Sequence, residues 1–142
     1  MTKRTIAQLA GRPTLSELAA TVQIDSTYVG KRAGCFDEDD TAEMHEWNST
    51  LSYQGRTFTL PYFMGLAHSD TDKPTATDVI NSLVLDSSAL DETFEEWAGD
   101  FGYDTDSRKA EKMYRSCIDY AIRLKRLLGG DYAKFMAAEN DI

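Results

Sequence analysis

The chain has 142 residues, with 15 Lys plus Arg against 24 Asp plus Glu, for a formal net charge of −9. That length fits one domain of roughly 100–150 residues, and 6 Phe, 7 Tyr and 2 Trp can fill a core, which excludes wholesale disorder. No run of about 18 apolar residues is present to cross a membrane, MTKRTIAQLAGRP is too polar for a signal peptide, and Cys35 and Cys117 are too few for a disulfide scaffold, so a reduced cytoplasmic protein is expected.

In chain order, Thr5–Gln8 and Thr14–Glu17 match the S/T-x-x-E/Q capping box. They predict two short helical pieces separated by Gly11, Arg12 and Pro13. The pair could suggest a helix-turn-helix, but the pieces are short and carry a single base, Arg12. Val22, Ile24, Tyr28 and Val29 predict a first strand. Gly34 to Glu46 reads as an acidic loop. Its consecutive acids at 37–40 point in different directions and make no nuclease metal site.

WNSTLSY and RTFTLPYF flank Gln54-Gly55 and predict a β-hairpin. Trp47, Leu51 and Tyr53 alternate on one face, with Phe58, Leu60 and Tyr62 on the partner strand. Thr50, Thr57 and Thr59 suit the solvent side, and Pro61 ends the ladder or marks an edge.

After a loop at 65–73, Pro74 and Thr75 start a helix with Asp78 in its first turn. Thr93 and Glu96 form a further capping box, and Gly102 is a left-handed C-cap. Trp97 and Phe101 read as core residues of that helix, though exposed they would be binding anchors. Asp104 or Asp106 caps a last long helix whose apolar residues, from Ala110 through Cys117 to Leu128, follow a 3-4 pattern. Gly129-Gly130 stop it, and Asp131 to Ala138 form a short terminal turn of helix.

The expected fold is α+β: a small antiparallel sheet of about three strands followed by a bundle of three to four helices. It is read as one domain over 1–142, with short helices plus sheet at 1–66 and a helical half at 74–138. The front order α-β-β-β-α is also that of a double-stranded-RNA-binding domain. The helix near Thr75 lacks the lysines such a domain needs, and Asp78 argues against it.

The charge is uneven. Residues 37–46 hold six acids and no Lys or Arg, and 70–106 hold eleven acids and one base. Residues 108–126 hold seven bases and two acids, a net of +5, which leaves −14 on the other 123 residues. Lys112, Arg115, Arg123 and Arg126 could meet phosphates as one stripe. Pairing of these bases with acids of neighbouring helices outweighs that reading, so direct nucleic-acid binding is disfavoured.

No enzyme motif stands out. His45 and His68 lie outside H-E-x-x-H, and neither G-x-S-x-G nor a P-loop occurs. Asp100, Asp104, Asp106 and Glu111 take positions 1, 5, 7 and 12 of a calcium loop, but Thr105 stands where the turn needs Gly. No cofactor or metal is expected. Spaced carboxylates can imitate the phosphate rows of a nucleic acid and occupy a basic channel on another protein.

FEEWAGDFGYDTDSRKAE at 94–111, with PTATDVINSLVLDSSAL before it and YRSCIDYAIRLKRLLG after it, resembles a group of small acidic proteins encoded by tailed phages and related mobile elements. The resemblance spans about half of the chain, residues 74–132, and carries no catalytic residue. It implies a phage context, in which small acidic proteins without enzyme motifs often block host machinery, anti-CRISPR proteins among them.

The functional expectation is a non-enzymatic inhibitor in the host cytoplasm. It would bind a host or defence protein with a basic nucleic-acid-binding surface, a CRISPR effector being the specific case. The expected binding residues are Asp37, Glu38, Asp39, Asp40, Glu43 and Glu46, together with Glu92, Glu95, Glu96, Asp100 and Tyr103. The alternative is a phage accessory protein that binds nucleic acid through the Arg108–Arg126 face.

Overall fold

A computed structural model describes residues 13–33, 43–66, 68–69 and 71–139. The helical piece expected at 5–8, Cys35 and the acids at 37–40 lie outside them. The fold is α+β. Helix α1 (Leu15–Ala19) leads into strands β1 (Gln23–Ala33), β2 (Glu43–Tyr53) and β3 (Arg56–Gly65). Helices α2 (Ala76–Asp86), α3 (Phe94–Phe101), α4 (Arg108–Leu128) and α5 (Tyr132–Glu139) follow. A 3₁₀ turn at Ser87–Asp91 joins α2 to the α3 segment, and another at Gly129–Asp131 joins α4 to α5.

The strands are antiparallel in the order β1-β2-β3, so β1 and β3 are both edges. The β2–β3 connection is a two-residue turn with φ of 50° at Gln54 and 80° at Gly55. Those positive values fit the twist of the flanking strands. Gln54 has a Cβ and is held by side-chain bonds: its amide donates to Asp131 at 3.3 Å, and its carbonyl accepts from Arg56 at 3.3 Å.

The tight turn fixes register from Tyr53↔Arg56 to Met44↔Gly65. Trp47, Ser49, Leu51, Phe58 and Leu60 thereby face the helices and are buried. Thr50 and Thr59 pair on the opposite face, their hydroxyls 2.9 Å apart. The polar residues Ser26 and Ser49 are buried in mutual satisfaction at 2.8 Å.

Leu51, Phe58 and Leu60 pack with Ile80 and Leu83 of α2, Leu124 and Leu128 of α4 and Phe135 of α5. Each such side chain contributes about 1.5–3 kcal/mol on burial. A second cluster holds Ala89, Trp97, Ala98 and Ala110, with Phe94, Tyr103 and Tyr114 against it. Helix α4 serves both: its first half closes the second cluster and its last turns the first.

Several boundaries differ from expectation. Strand β2 begins at Glu43, so residues 43–46 are ladder and not loop. The ladder runs past Pro61 to Gly65, and Pro61 is therefore an edge residue. Strand β1 continues to Ala33 through a register shift between Tyr28 and Gly30. The N-cap of α4 is Ser107, whose hydroxyl accepts from Ala110 N–H at 3.1 Å. Asp104 instead accepts from Asp106 N–H at 3.0 Å and shapes the turn before the cap. The terminal helical turn expected from Asp131 to Ala138 is present as α5, Tyr132–Glu139.

Candidate functional site

The expected binding acids fall on different elements. Glu43 is exposed at the start of β2. Glu46 lies on the sheet face away from the helices and ion-pairs with Arg32 of β1 at 3.5 Å. Glu92, Glu95, Glu96 and Asp100 lie on α3 and the turn before it.

Within that group the roles divide. Glu96 is committed to the fold: its carboxylate accepts from Thr93 N–H at 3.0 Å, while Thr93 Oγ1 accepts from Glu96 N–H at 3.2 Å. This reciprocal cap holds the Glu96 carboxyl below the usual range. Glu92 moves the other way. Desolvation raises its carboxyl above the usual range, and the nearby carboxylates of Asp100, Glu96 and Asp91 add to the shift. Among the described residues no Lys or Arg ion-pairs with Asp91, Glu92, Glu95 or Asp100.

Aromatic residues adjoin these acids. Trp97 is buried, and Tyr103 stacks on it with ring centroids 5.5 Å apart. Phe101, expected in the core, is 60% exposed. Helix α3 has only two turns, and its packed side is spent on Trp97 and Ala98. Tyr103, expected as an anchor, is half-buried.

The expected pairing of α4 bases with neighbouring helices is not what Arg115 and Arg123 show. Arg115 pairs with Glu111 and Arg123 with Asp119 at 3.7 Å, both one turn away on α4 itself. Arg123 also covers the Phe58 ring at 4.3 Å and donates to the Thr59 carbonyl at 3.0 Å. Lys125 lies 5.6 Å over the Tyr132 ring. Lys112 and Arg126 are exposed with no ion pair among the described residues.

A feature missed in the sequence is a cleft of about 390 Å³ between β3, α2 and α4. Strand β3 contributes Leu60 to Phe63. Helix α2 contributes Val79, Ser82, Leu83 and Asp86, and α4 contributes residues from Lys109 to Tyr120. Asp86 and Cys117 sit inside it. Burial raises the Asp86 carboxyl to about 6, and a hydrogen bond with Cys117 offsets part of the shift. Burial and the facing Asp86 push the Cys117 thiol up to about 12. Cys117 is therefore a neutral thiol at physiological pH and a poor nucleophile.

One signal for this cleft was present in the sequence. Val79, Leu83 and Asp86 are spaced i, i+4, i+7, which puts a carboxylate on the apolar stripe of α2.

The two histidines differ. His68 is exposed near Asp72 at 4.0 Å. His45 is 5% exposed, with Nδ1 2.8 Å from the Tyr28 hydroxyl and Nε2 2.8 Å from the His68 carbonyl. Among the described residues no group of three or more His, Cys, Asp or Glu is placed to hold a metal, and no helix is long and apolar enough to cross a membrane.

Comparison with protein-family models, curated proteins and solved structures finds no match to the chain.

Proposed function

We propose that the protein is a non-enzymatic inhibitor that docks its α3 face on the basic nucleic-acid-binding surface of a host or defence protein, a CRISPR effector being the specific case. One observation carries the reading. Asp91, Glu92, Glu95 and Asp100 lack cationic partners among the described residues, beside the exposed ring of Phe101. Repulsion among carboxylates costs stability, and a cationic partner relieves it on binding. Phe101 supplies apolar contact next to the charge, the combination found at binding hot spots. The phage context comes from the resemblance at 74–132. Glu96 is a cap in this reading and not a contact.

The test is binding and inhibition of purified CRISPR effector complexes, with nucleic acid as competitor. The triple variant Glu92→Lys, Glu95→Lys, Asp100→Lys is expected to lose inhibition and keep its fold. Charge reversal at Asp37, Glu38, Asp39 and Asp40 tests the second acidic segment in the same assay. Inhibition untouched by both sets, or undiminished by nucleic acid, rejects the reading.

The basic face of α4 supports the alternative less well, because Arg115 and Arg123 are occupied within the helix. A gel shift at low salt, where phosphate binding is strongest, tests it directly.

A further inference from the structure

The cleft between β3, α2 and α4 is a second site, independent of the α3 face. Its lining carries opposite charges. Asp86, one of the lining residues, is the last residue of α2. That position is locally unfavourable for a carboxylate, because unpaired carbonyls at a helix C-terminus present negative charge. No cation pairs with Asp86 among the described residues. Cys117 lines the same cleft and has a single S–H to offer, which leaves most of the acceptor capacity of the carboxylate unused. A residue that breaks the local rules of an otherwise regular helix is a mark of function.

Lys112, exposed on α4, lines the same cleft. Tyr62, Leu83, Met113 and Tyr120 add aromatic and apolar lining. Tyr62 is tied back by its hydroxyl, which donates to the Asp78 carbonyl at 3.4 Å, so its ring is held as a wall.

A ligand matched to this arrangement has adjacent N–H donors for a carboxylate, a flat apolar body and an anionic tail. We infer that the cleft binds a guanine nucleotide, with the base on Asp86 and the phosphate at Lys112. The guanine edge offers two neighbouring N–H donors, which a carboxylate accepts side by side. Adenine sets a ring acceptor beside its amino group and opposes the carboxylate with a lone pair. An aliphatic amino acid meets both charges but leaves the aromatic lining uncovered. The volume, about 390 Å³, is within the range of small-ligand sites.

Calorimetry on the full chain tests the assignment with GMP, AMP, guanosine and inorganic phosphate. GMP is expected to bind at least tenfold more tightly than AMP or phosphate. Asp86→Asn is expected to weaken GMP binding tenfold or more. Lys112→Ala, on an exposed residue that leaves the fold intact, is expected to weaken GMP and leave guanosine unchanged. GMP binding no tighter than AMP or phosphate overturns the inference, as does wild-type affinity in both variants. Neither result bears on inhibition through the α3 face.

Discussion

The Tyr28 hydroxyl and His45 Nδ1 are 2.8 Å apart across the β1–β2 ladder. The other ring nitrogen, Nε2, meets the His68 carbonyl at 2.8 Å. A carbonyl only accepts, so Nε2 carries the proton, and in the neutral ring Tyr28 donates to Nδ1. His45 thus joins both paired strands to the loop after β3. Tyr28→Phe is expected to cost about 1–2 kcal/mol by leaving a buried acceptor unmet. His45→Ala is expected to cost about 2–4 kcal/mol, with the cavity added. Urea unfolding of both variants measures this.

Asp86 gives stability a pH dependence with a definite sign. Burial pushes its carboxyl up to about 6 in the fold, against 3.8 for a solvated aspartate. The folded state therefore holds the proton through a window in which the unfolded chain has lost it. The contribution is complete below 3.8 and disappears as pH rises past about 6. Asp86→Asn keeps the shape and removes the charge. It is expected to raise stability at pH 7 by roughly 1–2 kcal/mol. Subtracting its pH–stability curve from that of the wild type should leave a slope confined to this window.

Helix α3 depends on its cap. Thr93→Ala removes the hydroxyl that receives Glu96 N–H at 3.2 Å and is expected to cost about 1 kcal/mol. Glu96→Gln retains an acceptor for Thr93 N–H and should cost less. Trp97 lies on this helix and reports its unfolding by fluorescence. The same pair separates folding from docking, since neither change adds a positive charge to the face.

Arg123 combines an ion pair with Asp119, a ring contact with Phe58 and a hydrogen bond to Thr59. The exposed ion pair contributes little, and the cation–ring contact contributes about 0.5–1 kcal/mol. Arg123→Ala is expected to lower stability by about 1–1.5 kcal/mol. Arg123→Lys should recover only part of it, because Lys lacks the planar fork that serves ring and carbonyl together. Thermal unfolding distinguishes the two.

Features with local causes were legible in the sequence. Gln54-Gly55 dictates the hairpin, and alternation along Trp47–Tyr53 and Phe58–Tyr62 chooses the buried face. The caps at Thr75–Asp78 and Thr93–Glu96 formed as their spacing required. The capping signal at Thr14–Glu17 marks a real helix start as well. What escaped has non-local causes. Glu46 enters the ladder because Arg32, on another strand, meets its charge. Ser107 takes the cap of α4 because a turn bond already occupies Asp104. Phe101 has a core residue's spacing, but it meets only Trp97 and Tyr103 of its own segment among the described aromatic rings and stays exposed. The cleft exists only where three elements converge, and Asp86 was a lone hint of it.

Pro61 has a wider consequence. In a two-residue hairpin Tyr53 and Arg56 form a hydrogen-bonded pair, and alternation then turns the backbone of Thr59 and Pro61 outward from the sheet. Arg123 already fills the outward carbonyl of Thr59, and Pro61 has no N–H to offer. At Thr59 an incoming strand finds the N–H but no free carbonyl, and at Pro61 the carbonyl but no N–H. Two successive rungs along that border of the sheet are each short of one bond, which weakens it as a template for added strands or fibres.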